Sequence, residues 1–475
     1  MSVYFDTDKR KLHKKGLTLR VRRTDDRYVQ TIKKTGNTAP FERDEWEAEI
    51  DGREPVLSLA NGTGLESLLD DKLGRQLKPL FETRVRRTSY LLDGNSHAIE
   101  LTIDRGMIWT GARKASLCEI ELELHRGSLG QLFEVARELV HVLPAQIAVK
   151  SKADRGYELI DGVQDTAVKS TSIDLTPGTT SREAFKIIGL ACLNQIIANH
   201  QPVIQGHPEG VHQMRVGLRR LRAAMSVFSH LLHDAQTAAI KAELKWLAGE
   251  LAPARELDVL VQRVVAPVEH RHVRWDGVIA VSRALAGKRK TALTRAQKTI
   301  VSPRFRTLCI DAIAWLETGQ WTNPSDDLVR DQGNVVVEVF GVEHLNRRRR
   351  KVCKRGKALA QLDATQRHRL RIQVKKLRYA VEFFASLYSG KRPLRRRERF
   401  LPALECLQDG LGDLNDIAVH EDRMTEMANQ GRQSNQNRVF AAGVLAGRED
   451  ARLEVVMKAA TAAYERLIKI KPFWQ

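Results

Sequence analysis

Two segments of this 475-residue chain repeat one pattern of basic side chains. "HQMRVGLRRLRAA" (212–224) and "HRLRIQVKKLRYA" (368–380) share H-x-x-R-x-x-x-[RK]-[RK]-L-R, 156 positions apart. On a helical wheel His212, Arg215, Arg219 and Arg222 fall within about 80° of one another, along roughly 15 Å of helix. His368, Arg371, Lys375 and Arg378 form the same stripe, while Arg369 and Lys376 point elsewhere. The apolar sets Met214, Leu218, Leu221, Met225 and Leu370, Val374, Leu377, Val381 lie beside the stripes, so each stripe abuts a buried edge. Neither segment contains an acidic partner four residues away, so like charges crowd without relief. Guanidinium forks and ammonium groups in such a ladder fit an extended phosphate chain. The histidines suit donation to phosphate, metal ligation or a buried structural role. A merely solvated face is the bland alternative; the recurrence and the position beside the core argue against it.

A second set of chemistry-bearing residues alternates with period two. "CEIELELH" places Glu119, Glu121 and Glu123 on one face, and "ERDEWEAEI" does the same for Arg43, Glu45, Glu47 and Glu49. "IELTIDRG" groups Glu100, Thr102 and Asp104, "LTLRVRR" groups Thr18, Arg20 and Arg22, and "TRVRRTS" groups Arg84, Arg86 and Thr88. Alternation of this kind reads as antiparallel strands. Carboxylates roughly 7 Å apart on one strand face repel one another and call for cations, either facing arginines or a divalent metal. Hard Mg²⁺ or Mn²⁺ suits clustered carboxylates together with phosphate oxygens. An inert polar lumen with internal ion pairs is the competing reading.

The elements that must hold these residues divide the chain. Residues 1–162 run on the strand period, with a helix expected over 128–142. The stretch 163–180 is small, polar and carries Pro177-Gly178, a linker composition. From 181 to 475 the period is helical, opened by a capping signal at Thr180 or Ser181 with Glu183. "LKWLAGELAPARELDVL" (244–260) parallels "LECLQDGLGDLNDIAVH" (404–420), extending the twin helices into a duplicated unit, with repeats about 181–325 and 335–475. Two such units in pseudo-two-fold packing would bring both basic stripes to one groove.

The net charge of +20 and a pI near 9.9 point to a polyanionic partner. Aromatics at 6% are thin for stacking bases, which disfavours nucleic acid. Five scattered cysteines without a CxxC pair fit reduced thiols. No apolar run approaches a membrane span, and no signal-peptide core is present, so the expected setting is soluble and cytoplasmic, with no membrane partner.

In order, "YFDTDKRKL", "GLTLRVRR", "YVQTIKKT", "ERDEWEAEI", "RVRRTSY", "ELTIDRGMI", "CEIELELHRGS" and "SKADRGY" resemble the CYTH domain of the triphosphate tunnel metalloenzymes, over about residues 1–160. That resemblance implies an α+β antiparallel barrel in which a triphosphate is hydrolysed. It implies a phosphate clamp of Arg20, Arg22, Lys33, Arg84 and Arg86, with Lys152 and Arg155 near the end; of these, Lys33, Arg84 and Arg86 are the expected catalytic cations. Glu45, Glu47, Glu119 and Glu121 would hold Mg²⁺ or Mn²⁺, with Glu100, Asp104 and Glu123 as further candidates. The family's initial ExExK strand is not in this sequence, which begins at the equivalent of the second strand. A strand that is lost rather than encoded upstream would leave an open edge and an impaired metal site.

The helical repeats resemble the CHAD domain, on His212-x-x-Arg215 with Arg219, Arg220 and Arg222, on Arg255-Glu-Leu-Asp258, and on their second-repeat equivalents. That resemblance implies an all-α region of two repeated bundles, placed after the barrel in a multidomain protein. It also implies binding of inorganic polyphosphate through His212, Arg215, Arg219, Arg222, His368, Arg371, Lys375 and Arg378. Together the two resemblances imply a metal-dependent inorganic triphosphatase coupled to polyphosphate binding. The alternative is a catalytically impaired polyphosphate binder associated with polyphosphate granules. The remaining basic runs, 288–290, 347–351 and 391–399, read singly as solvated patches.

Overall fold

The structure is a computed structural model that describes residues 1–35, 43–162, 166–269, 275–429 and 436–475. The first three positions of the expected linker, 163–165, lie outside the described residues. The chain forms two compact units. One comprises Met1–Lys169, Leu193–Pro202 and Pro303–Gly319; the other comprises Ser170–Cys192, Val203–Ser302 and Gln320–Gln475.

The first unit is built on seven antiparallel strands: β1 (Ser2–Asp6), β2 (Leu17–Thr24), β3 (Arg27–Thr35), β4 (Arg43–Ile50), β5 (Lys78–Asp93), β6 (Ala98–Thr110) and β7 (Arg113–Arg126). They form one sheet in the order β4-β3-β2-β1-β5-β6-β7. Strand alternation gives the sheet two chemically different faces. On one face Phe5, Leu17, Leu19, Val21 and Ile32 pack with Leu65 and Leu73 of the β4–β5 connection, where helix α1 (Asp71–Gln76) lies. The other face carries Arg20, Arg22, Lys33, Glu45 and Glu47 at one side, and Asp104, Glu119 and Glu121 at the other.

The sheet curls around this polar face. The Lys33 ammonium on β3 is stabilised by the charge of Glu121 on β7. In a flat sheet those strands would stand five spacings, about 24 Å, apart, too far for such coupling in water. Gly106 permits a close approach within the curl: a Cβ there would lie 2.0 Å from the Arg84 carbonyl oxygen.

Helix α2 (Leu129–Val142) follows β7, as the sequence period predicts, and starts on a Ser128–Gln131 capping box. Helix α3 (Lys152–Asp161) starts on a Ser151–Asp154 capping box and ends on Gly162 in the left-handed region (φ 67°). Its Ala153, Tyr157 and Leu159 pack on Tyr4, Phe81, Ile108 and Leu117, plugging one end of the polar face with a small apolar core. Gly156 sits directly on the Phe81 ring, where a Cβ would come within 2.2 Å.

Asp6 ties β1 to this plug. Its buried carboxylate accepts from the backbone N–H groups of Thr7, Leu12 and His13 and from the Tyr157 hydroxyl at 2.9 Å. Asp6→Asn replaces one acceptor by a donor among four donors, so it is expected to cost about 1–3 kcal/mol. The check is a lowered thermal midpoint in a melt of the purified protein; an unchanged midpoint would mean that Asp6 holds nothing.

The helical chain continues with α4 (Ser181–Ala198), α5 (His200–Ile204), α6 (Pro208–Val227), α7 (Ala235–Leu260), α8 (Ala266–Glu269), α9 (Asp276–Ile300), α10 (Pro303–Thr318) and α11 (Asp327–Asn334). It ends with α12 (Val337–Gly356), α13 (Ala364–Phe384), α14 (Lys391–Asn429) and α15 (Gln436–Lys469). A π-helical turn, Val261–Val265, joins α7 to α8. In the first unit α10 packs on α2, with Arg137 Nε donating to Asp311 at 2.7 Å. Helix starts repeat: Ser181 and Val337, Pro208 and Ala364, and Ala235 and Lys391 each share the 156-residue offset of the basic motifs. Pro208 at the first turn initiates α6, and an Asp363–Gln366 capping box initiates α13. No described helix is long and apolar enough to cross a membrane.

Candidate functional site

Two polar constellations stand out, one in each unit. The first lines the inner face of the curled sheet. Asp104, Glu119 and Glu121 bring one carboxylate oxygen each to within 4.8 Å of one another. The register explains it: Asp104 pairs with Glu119 and Thr102 with Glu121, so their side chains share a face. The Lys152 ammonium from α3 stands at their centre, 2.8 Å from Asp104, 2.7 Å from Glu121 and in direct contact with Glu119. Arg155 adds a contact to Glu119 at 3.4 Å. Arg87 of β5 clamps Asp104 through two hydrogen bonds, 2.8 and 2.7 Å, and reaches Glu121 at 2.9 Å.

Burial alone would raise the Asp104 carboxyl, but the hydrogen bonds from Arg87 and Lys152 outweigh it and hold it below the usual range. Burial likewise opposes the charge on Lys152, and its three carboxylate partners hold the ammonium above its ordinary value.

The facing wall is cationic. Arg22 donates to Glu47 at 2.7 Å, Lys33 to Glu45 at 2.7 Å, and Arg20 lies 3.5 Å from Glu45. The Nε groups of Arg20 and Arg22 are buried without a hydrogen-bond partner. Lys33 is held below its ordinary value by burial and then by Arg20, against Glu45 and Glu121.

Among the residues expected from sequence, Arg20, Arg22, Lys33, Glu45, Glu47, Glu119, Glu121, Lys152 and Arg155 therefore share this face. Arg84 and Arg86 do not. Arg87 pairs with Asp104, so its neighbour Arg86 projects from the opposite side, as does Arg84, which stacks over Trp109 and contacts Glu82 at 2.8 Å. Glu100 turns to His125 at 3.1 Å. Arg87 is not among the residues expected from sequence; its signal is the opposite parity to Arg86 within the same "RVRR" run.

The second constellation joins the two repeats. The stripe of α6 faces that of α13: Arg219 bears electrostatically on both Arg371 and Lys375. His212, Arg215 and Arg255 of the first repeat gather around Arg219 as well. Arg215 donates to the Ala248 carbonyl at 2.8 Å. His212 is pushed down to about 4 by burial and then by Arg255, so it is neutral at pH 7. His368 contacts Asn415 through Nδ1 at 2.9 Å. The Nε of Arg371 is buried without a partner.

Lys375 is pushed down to about 7 by burial and then by Arg371 and Arg219, with Asp416 opposing. Arg378 meets Glu382 at 3.0 Å, four residues on, so an acidic i,i+4 partner exists just past the repeated motif. Arg220, adjacent to the stripe, is buried with its Nε 4.0 Å from Glu382. Arg222 is exposed.

Comparison with known proteins matches both regions. The family model of the CYTH domain matches residues 2–157 and that of the CHAD domain matches residues 188–425. An inorganic triphosphatase of Haemophilus influenzae is 29% identical over 160 residues, which is 33% of this chain and 45% of that protein. The chain thus spans under half the length of that curated relative. The crystal structure of the CHAD domain from the plant Ricinus communis superposes with a TM-score of 0.54 at 28% identity, covering 63% of this chain and 96% of that one.

Proposed function

Because the chain belongs to the CHAD family and carries a CYTH domain ahead of it, we propose that it hydrolyses inorganic triphosphate or short polyphosphate in the curled sheet and binds polyphosphate along the groove between its helical repeats. The observation that carries the hydrolytic reading is the pairing of two opposed sets on one face. One is a cluster of three carboxylates; the other is a wall whose Arg20 and Arg22 Nε groups lack partners. Orphaned guanidinium donors suit phosphate oxygens, which accept in the planar geometry that a guanidinium offers.

The donor set also fits a hard divalent ion, Mg²⁺ or Mn²⁺. Asp104, Glu119 and Glu121 would hold it, at the place where the Lys152 ammonium now neutralises them. A bound ion supplies charge neutralisation at the phosphate and a more acidic water. The chain's own part is to fix the anion: Arg20, Arg22 and Lys33 hold it from one wall, while Arg87 keeps Asp104 and Glu121 aimed. The Haemophilus influenzae relative supports an inorganic triphosphate as the substrate class. The helical groove, with cations from both repeats around Arg219, supports capture of a longer chain.

The test is phosphate release from tripolyphosphate with Mg²⁺ or Mn²⁺. Release is expected to need the metal, to stop in chelator, and to fall about a hundredfold or more in Glu119→Ala. Turnover that survives both treatments ends the hydrolytic reading. Binding of polyphosphate without any turnover would favour the second reading, a binding protein at polyphosphate granules.

A further inference from the structure

The π-helical turn Val261–Val265 is the only one of its kind among the described residues. Such turns are rare and frequently lie at functional sites, because the extra residue re-aims the side chains around it. The turn is not a by-product of the duplication. At the offset that pairs 244–260 with 404–420, it corresponds to residues 421–425, which lie inside the unbroken helix α14.

The turn and α8 border a cavity of about 360 Å³ together with α14 and α15. Part of its wall is aliphatic, formed by Val264, Pro267, Val268 and Leu445, of which the two valines and the leucine are buried. Its charged groups are joined by direct contacts. Arg263, on the turn, donates to Asp413 at 2.6 Å and lies 3.7 Å from Asp416. Arg452 donates to one oxygen of Glu449 at 2.8 Å, and the other oxygen meets Nδ1 of His420 at 3.1 Å.

Glu449 and His420 are each 4% exposed, so this carboxylate is a fixed, buried part of the wall. Burial alone would raise its carboxyl, and the bonds from His420 and Arg452 hold it below the usual range. Arg448 is the remaining charged member of the lining. It is exposed and makes no ion pair among the described residues.

Charge selects the ligand. Three guanidinium groups stand against two carboxylates in the lining, so with the imidazole neutral one positive charge is left over. A single surplus charge suits a monovalent anion. It mismatches a condensed phosphate, every unit of which carries charge that Asp413 and Glu449 would repel. The aliphatic wall suits an apolar body. The lining holds no aromatic ring on which a base could stack.

We propose that the cavity beside the π turn binds a small organic monocarboxylate with an aliphatic body. Arg448 supplies the free guanidinium fork for its carboxylate, while Val264, Val268 and Leu445 cover its chain. Arg263 and Arg452, each already tied to a carboxylate, frame the anion. The inference stands apart from both phosphate-binding readings.

The experiment is calorimetric titration of the full chain with the sodium salts of straight-chain acids from acetate to octanoate. Each added methylene should tighten binding about two- to fourfold until the cavity is full, and longer chains should gain nothing more. Arg448→Ala should weaken binding about tenfold or more at every length, with an unchanged thermal midpoint because the side chain is exposed. Val268→Ala should move the limit to a longer acid. Binding should persist in Arg219→Ala/Lys375→Ala, which removes the groove cations, and tripolyphosphate should not compete. The matching alcohols should bind about tenfold more weakly or worse. The proposal is overturned if no acid binds, if Arg448→Ala binds as the parent does, if the alcohols bind equally well, or if the groove variant or tripolyphosphate abolishes binding.

Discussion

Arg87→Ala is expected to lower phosphate release from tripolyphosphate by about a hundredfold or more, whereas Arg86→Ala changes it less than about threefold. The two residues are neighbours in sequence and identical in chemistry, so only strand geometry separates them. Arg87 pairs across the ladder with Asp104 and holds it with a two-pronged hydrogen bond while touching Glu121. Arg86 pairs with Arg105 on the other face. Arg87 acts through carboxylates and is therefore a positioning residue, so the test needs a readout beyond rate. Without it, the metal concentration for half-maximal activity should rise, because Asp104 and Glu121 lose the group that aims them. Arg87→Lys should restore part of the charge but not the fork, and so recover little of the loss. A thermal melt of each variant separates misfolding from loss of the site. Equal losses at positions 86 and 87 would mean that charge rather than register governs activity.

The acid limb follows from the same contacts. The folded Asp104 carboxyl lies below its ordinary value, burial opposing and Arg87 and Lys152 prevailing. Its contribution to stability is therefore complete above the ordinary aspartate range and is lost as pH falls through the lowered value. Acid should therefore disarm Asp104 later than it would a free aspartate.

This pair also shows what a sequence can and cannot convey. On β7 every carboxylate has one parity, so alternation alone puts Glu119 and Glu121 on a common face. On β5 the run "RVRR" carries arginine at both parities, and no local rule says which looks inward. That choice is made by a partner strand, through Asp104 on β6. The twin helices were more legible because a helical stripe beside an apolar stripe has only one way to lie against a neighbouring helix. Even there, the acidic relief at Glu382 sits two residues past the repeated motif. The packing unit was least legible: α10 joins the first unit through contacts such as Arg137–Asp311, 174 residues apart in sequence, and composition carries no trace of them.

Polyphosphate binding at the groove is expected to weaken about a hundredfold in Arg219→Ala/Lys375→Ala, given roughly 1.5–3 kcal/mol for each charged hydrogen bond. The control is Arg395→Ala/Arg396→Ala, which removes as much charge from another basic run and should cost far less. Above pH 7 binding should also depend on pH through Lys375. Around Lys375 stand Arg371 and Arg378 on its own helix, Arg219 from α6 and Asp416 from α14. On its α12 side the cations face Lys376 instead. The arginines cannot release a proton at working pH, so Lys375 alone relieves the crowding, and it does so with a value near 7. A bound phosphate chain favours its charged form and raises that value. Affinity is therefore full below pH 7 and falls as pH rises, by up to about tenfold per unit until the raised value is reached. Binding at pH 7.5 should take up as much as about three-quarters of a proton, measurable by calorimetry in buffers of different ionisation enthalpy. Lys375→Arg keeps the charge at all pH values, so it should bind without that uptake and with a flatter pH profile. An unchanged profile in Lys375→Arg would assign the pH dependence to the phosphate chain itself and remove Lys375 from the groove's function.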